Sequence, residues 1–294
     1  MRGVRFEVRP SEVVERLYHA YNFDALRRPD LKGLLKSARR VSGWYVGRLA
    51  LDCPSADQLA SHLERRARCV PGAFGEAAAS LARLLRALER EFSEHWAQAA
   101  GALEREAERL SSLADWGAVA SAISEEVGRE LPRSLVVVHP SLSVGSSNYS
   151  FTLGDRIVVV VHPEREGWGC ALSVVHELLH SVLQCPDWCF YDDLLTELVE
   201  EAVRRSGAEL PPGYPDPKLY FEENLAEALT LRVALRLRGE LDLPSDIEEA
   251  CADYWRRRGL ALAEAIFRGL EELGPPEGEG LEWRLGRLLR EWLR

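Results

Sequence analysis

The sequence predicts an α+β fold: a mostly helical N-terminal domain over residues 1–131, then a domain over residues 132–294 in which short strands precede one apolar helix and several further helices. Three observations predict it. Through the first region, apolar residues recur at helical spacing with Glu and Arg four apart beside them. Two β-branched runs, at 135–139 and 156–162, each close on His-Pro. After them comes Val174-Val175-His176-Glu177-Leu178-Leu179-His180-Ser181-Val182-Leu183, an apolar run with two histidines inside it. With 294 residues, 46% of them hydrophobic, the chain can bury a sizeable core as one large or two ordinary domains.

Taken in order, Ser11 is placed to cap a helix over 11–22, with Glu12 in its first turn. A short helical segment follows at 31–40, an irregular stretch at 44–56, and a helix at 56–68 that carries His62. Residues 73–109, with Leu81, Leu84, Leu85, Leu88, Phe92 and Trp96 in the apolar set, suit an antiparallel helical hairpin continued over 116–131. His19, His62 and His95 have no partner at ligand spacing and read as packing or surface residues. Residues 148–152 alternate and run into the turn Leu153-Gly154-Asp155, so with 156–162 they form a hairpin leading to the apolar helix. His139 and His162, at the strand ends, are candidate donors to an oxyanion, with a structural role as the plainer expectation. Helices are expected over 192–205, 218–238, 250–273 and 281–293, with a Gly- and Pro-rich loop at 274–280.

His176 and His180 are four apart, so on a 3.6-residue period they project from one helix face. That is H-E-x-x-H. The spacing lets two imidazole nitrogens reach one tetrahedral Zn²⁺ at about 2.0 to 2.1 Å each. Glu177 points off that axis and can accept the proton of an attacking water as general base. Without a metal, imidazoles inside an apolar helix need hydrogen-bond partners from their neighbours.

A catalytic zinc site keeps three protein ligands and one open position, so a third donor is expected downstream. No histidine follows His180, which leaves a carboxylate. At these residues, over about 134–237, the chain resembles the zincin metallopeptidases, and lacking a third histidine it is similar to their glutamate-ligand, gluzincin-like branch. The resemblance implies a small mixed sheet whose edge strand lies over the metal and pairs with an extended substrate. It also implies a zinc cofactor and a peptide or protein substrate. Glu200, twenty positions after His180, has the spacing of the thermolysin-like peptidases but lacks the acidic residue that follows the ligand there. Glu223 opens Glu223-Asn224-Leu225-Ala226-Glu227-Ala228, which is similar to an E-x-x-A-E-A segment of other zincins whose first glutamate binds zinc.

Glu197, Glu200 and Glu201 with Arg204 and Arg205 look like a solvated face, whereas Glu223 and Glu227 lie on an otherwise apolar helix. Glu223 is therefore favoured as third ligand, with Glu200 as the alternative, and Glu227 can hold a ligand histidine in its metal-binding tautomer. The competing expectation for Glu222, Glu223 and Glu227 is a charged helix face. Tyr214 and Tyr220 lie just upstream, where zincins often place a tyrosine or histidine. Tyr220 is the first candidate there for a catalytic role.

The net charge of −10 argues against nucleic acid or an anionic membrane as the principal partner, and the local patch Arg65-Arg66-Ala67-Arg68 does not reverse it. Charges through residues 1–9 leave no apolar core for an export signal, and no run approaches the length of a membrane span. A cytoplasmic location is expected. Cys185 and Cys189 form the one close cysteine pair, at a spacing that suits a loop disulfide or free thiols better than a structural zinc. Thirty-four Arg against three Lys, with few Asn, Gln and Met, suit a GC-rich thermophile. The expected activity is hydrolysis of peptide bonds. The alternatives are a non-catalytic zinc-binding adaptor and a metal hydrolase of another substrate.

Overall fold

The computed structural model describes residues 4–145, 147–163, 167–184, 193–211, 214, 216–274 and 279–294. The chain is mixed α+β and mostly helical, with thirteen α-helices and four strands among the described residues. Strand β1 (Arg5–Val8) comes first and is followed by α1 (Glu12–Asn22), whose N-cap Ser11 accepts from the Val14 amide. Helices α2 (Lys32–Ala38), α3 (Gly43–Ala50), α4 (Leu59–Cys69), α5 (Gly72–Ala87), α6 (Glu89–Ser112) and α7 (Trp116–Val127) lead to β2 (Leu135–Pro140). The hairpin β3 (Tyr149–Leu153) and β4 (Arg156–Val161) turns at Gly154, whose φ of 53° suits a residue without Cβ. Then come α8 (Gly167–Leu183), α9 (Asp193–Ser206), α10 (Pro217–Arg236), α11 (Ile247–Arg258), α12 (Ala263–Glu272) and α13 (Leu281–Trp292).

The strands form one sheet in the order β1-β2-β4-β3. β1, β2 and β4 are parallel, and β3 lies antiparallel on β4 as an edge. Because side chains alternate across a strand, β4 serves two cores. Ile157, Val159 and Val161 join a large core with α7, α8, α10, α12 and α13. Val160 joins a second core with Phe151 and the residues from Val14 to Leu88. α10 lies in the large core against α7, α8, α9 and α12, so its carboxylates are held among packed helices.

β1, from the N-terminal region, pairs with β2, and α7 packs into the large core. The alternation Val4-Arg5-Phe6-Glu7-Val8-Arg9 was the available signal for β1. Three expectations about single elements change. Residues 73–109 are no antiparallel hairpin, because only Leu88 separates α5 from α6, too little chain for a reversal; α5 packs on α4 and α2 instead. Residues 44–56 are less irregular than expected, most of them belonging to α3. The helix expected over 250–273 is two helices, ended after Arg258 by Gly259 in the left-handed region at φ 71°.

Candidate metal centre

α8 buries Val174, Val175, Leu178, Leu179 and Val182 completely, and that orientation turns His176 and His180 together toward α10. Their rings meet edge to face, centroids 4.7 Å apart, with the two Nε2 atoms 3.1 Å from each other. Glu223 of α10 closes the triangle. Its Oε2 is 3.3 Å from His180 Nε2 and its Oε1 is 3.7 Å from His176 Nε2. Ligand atoms of these three residues lie within 4.8 Å of one another, the one such group of His, Cys, Asp and Glu among the described residues.

The donor set fits zinc. A tetrahedron with legs of 2.0 to 2.1 Å has edges of about 3.3 Å, and the three separations bracket that length. Each imidazole also turns its other nitrogen to a carboxylate of α10. Glu222 Oε1 is 3.1 Å from His180 Nδ1 and accepts from Gln184 Nε2 at 2.6 Å. Glu227 Oε1 stands 3.6 Å from the buried His176 Nδ1, just beyond hydrogen-bond length, while its Oε2 accepts from Trp255 Nε1 at 3.1 Å. Such carboxylates fix the tautomer that leaves Nε2 for a metal. Glu222 is 4% exposed, so these three glutamates are not a solvated face.

The charges are coupled. Burial raises the Glu223 pKa, but His180, His176 and a hydrogen bond from Tyr214 outweigh it and bring it down to about 2. Burial opposes a charge on His180, yet Glu222, Glu223 and Glu177 push its pKa well above the imidazole range.

Glu177 is buried beside this group. Burial raises its pKa, the two imidazoles and a hydrogen bond with Ser150 pull it down, and Glu223 raises it further. Ser150 belongs to the edge strand β3, so Glu177 lies beside the sheet edge. Tyr18 and Tyr149 lie near enough that Glu177 also raises their pKa values, after burial.

The remaining candidates separate. Glu200 is exposed on α9 and outside the donor group. Tyr220 is fully buried, and its hydroxyl donates to the Gly259 carbonyl at 2.8 Å and accepts from the Ala261 amide at 3.0 Å. It braces the turn after α11. Tyr214 instead hydrogen-bonds Glu223, with Arg258 on its hydroxyl. His139 Nδ1 meets the Arg9 carbonyl at 2.7 Å beside β1, and the His162 amide donates to Asn148. Neither histidine joins the donor group. Cys185 and Cys189 lie outside the described residues; Cys53, Cys69 and Cys251 are free thiols.

Sequence reasoning missed Glu222, Gln184, Ser150, Trp255 and Arg258 as members of this site. Glu222 alone carried a local signal, a second carboxylate beside Glu223 on an apolar helix. No helix among the described residues is long and apolar enough to cross a membrane. The chain matches no protein-family model, no curated protein and no solved structure.

Proposed function

We propose that this chain is a zinc-dependent peptide hydrolase with a zincin-like, glutamate-ligand centre. The observation that carries the reading is the convergence of His176, His180 and Glu223 with Glu177 buried beside them. An antiparallel edge strand packed beside Glu177 supports it, since such an edge offers backbone groups to an extended peptide.

His176, His180 and Glu223 would hold the zinc, which supplies Lewis-acid polarisation of a carbonyl and acidification of water. Glu177 accepts the proton of the attacking water and hands it to the leaving amine. Burial raises its pKa, as suits a carboxylate that must carry a proton between two steps, and the Ser150 side chain stands beside it. Glu222 and Glu227 orient the two imidazoles, and the two imidazoles, with Tyr214 beside them, keep Glu223 ionised.

Glu177→Gln is the test. The variant is expected to keep one zinc per chain while peptide turnover falls by about a thousandfold. Full turnover in Glu177→Gln would reject Glu177 as the base. Stoichiometric zinc in the native chain with no hydrolysis of any peptide would favour the non-catalytic reading.

A further inference from the structure

α3 lies on the outer side of β3, and its contacts are close. A Cβ on Gly43 would stand 2.5 Å from the Tyr149 hydroxyl, and one on Gly47 would stand 2.5 Å from the Tyr18 hydroxyl and 2.6 Å from the Phe151 ring. Glycine at both positions lets the helix sit against the strand. Tyr18 adds a hydrogen bond to the Gly43 carbonyl at 3.3 Å. Between these glycines projects Trp44, half-buried and stacked on Phe151 with centroids 5.7 Å apart and planes inclined 23°. Its indole Nε1 donates to the Ser150 carbonyl at 3.0 Å.

That carbonyl has a particular place. Along an antiparallel pair, alternate residues turn their backbone groups to the neighbouring strand or away from it. Ser150, opposite Val159, turns its carbonyl away from β4, and Thr152, opposite Ile157, belongs to the same outward set. A peptide adding to this edge would donate a backbone amide to Ser150, and Trp44 already does so. The Ser150 side chain meanwhile contacts Glu177, so the position is beside the reacting centre.

We propose that Trp44 ends the peptide track at Ser150, so that this chain takes short peptides cut near a chain end rather than the middle of a long extended segment. The proposal rests on the hydrolase reading above. A bound peptide keeps the Thr152 side of β3 and stops where the indole stands. Removing the indole N–H returns one backbone acceptor to the track, worth about fivefold in affinity.

The test uses the full chain loaded with zinc and carrying Glu177→Gln, so that peptides bind without being cut. Unblocked alanine-leucine peptides from about three to about ten residues are titrated calorimetrically into this protein and into the same protein with Trp44→Phe. Trp44→Tyr, which keeps a ring but moves the donor, is the second variant, and thermal unfolding and zinc content report that both fold. With Trp44 in place, affinity is expected to stop rising after the shortest peptides. With Trp44→Phe it should go on rising, to about fivefold tighter at the longest. Affinity that climbs with length equally in all three proteins overturns the role of Trp44 and leaves the hydrolase reading intact. Stoichiometric zinc with no peptide bound by any of them rejects the peptide reading, and Trp44 as its limit falls with it.

Discussion

Two pairs of histidines meet buried glutamates in this molecule. His19 and His95 stack with centroids 4.5 Å apart and planes inclined 27°, beside Glu15; His176 and His180 meet at 4.7 Å and 82°, beside Glu223. The difference lies in where the lone pairs point. Glu15 accepts from Ser141 at 2.7 Å, from Ser143 at 2.6 Å and from His95 Nε2 at 2.6 Å, which ties α1 to α6 and to the segment after β2. Its acceptors are occupied. Ser143, His95 and Glu15 even have the composition of a nucleophile relay, but serine and glutamate both meet Nε2, and a relay needs both ring nitrogens. Around His176 and His180, by contrast, two Nε2 atoms and a carboxylate face one point. Composition alone would not have separated the two clusters.

The largest effect expected from this contrast is on zinc. Glu223→Ala should lower zinc affinity by more than about a hundredfold, and Glu200→Ala should leave it unchanged, both read by metal content and competition with a chelator. An equal loss from Glu200→Ala would mean that the donor group has been assigned to the wrong helix.

Glu15→Ala should act the other way. It strands two hydroxyls and an imidazole in the interior, at a cost of about 3 kcal/mol in urea unfolding, while zinc content stays the same. If zinc content fell as well, the two clusters would not be independent.

The smallest effect concerns pH. Burial, and after it the neighbouring His95, lower the His19 pKa to about 4. The unfolded chain, near 6.5, binds more protons through that window, so the stability held by neutral His19 is complete above about pH 6.5 and is lost as pH falls toward 4. His19→Phe keeps the stack and should flatten the pH dependence of unfolding between pH 7 and pH 5. With the exposed part of the ring discounted, the change is on the order of 1 kcal/mol. An unaltered slope would assign the acid sensitivity to other groups, among them the half-buried His139, whose pKa is also lowered to about 4 by desolvation.

Much of the fold was legible because its causes are local. Ser11 caps α1 through a side chain three residues from its partner, and Gly154 closes the β3–β4 hairpin over two residues. The pairing of His176 with His180 is likewise one helical turn. The break at Gly259 was missed because a glycine inside an apolar-periodic stretch reads equally as tolerated or as a stop, and Tyr220, whose hydroxyl braces that turn, helps to hold the stop. β1 was passed over because its alternation is brief and marks a strand only once β2 lies beside it.

By itself, the sequence determined that His176 and His180 share one face of α8 with Glu177 between them, and that a strand pair precedes that helix, since each follows from periods of 3.6 and 2. Only the tertiary structure decided that Glu223 rather than Glu200 meets the histidines, that Tyr214 rather than Tyr220 touches Glu223, and that Trp44 lies on the edge of β3. Those contacts join residues about 40 or more positions apart, apart from Tyr214 and Glu223, or depend on which side of a helix faces inward. That facing is set by how the helices bury their apolar sides against the sheet and one another, which no local spacing encodes.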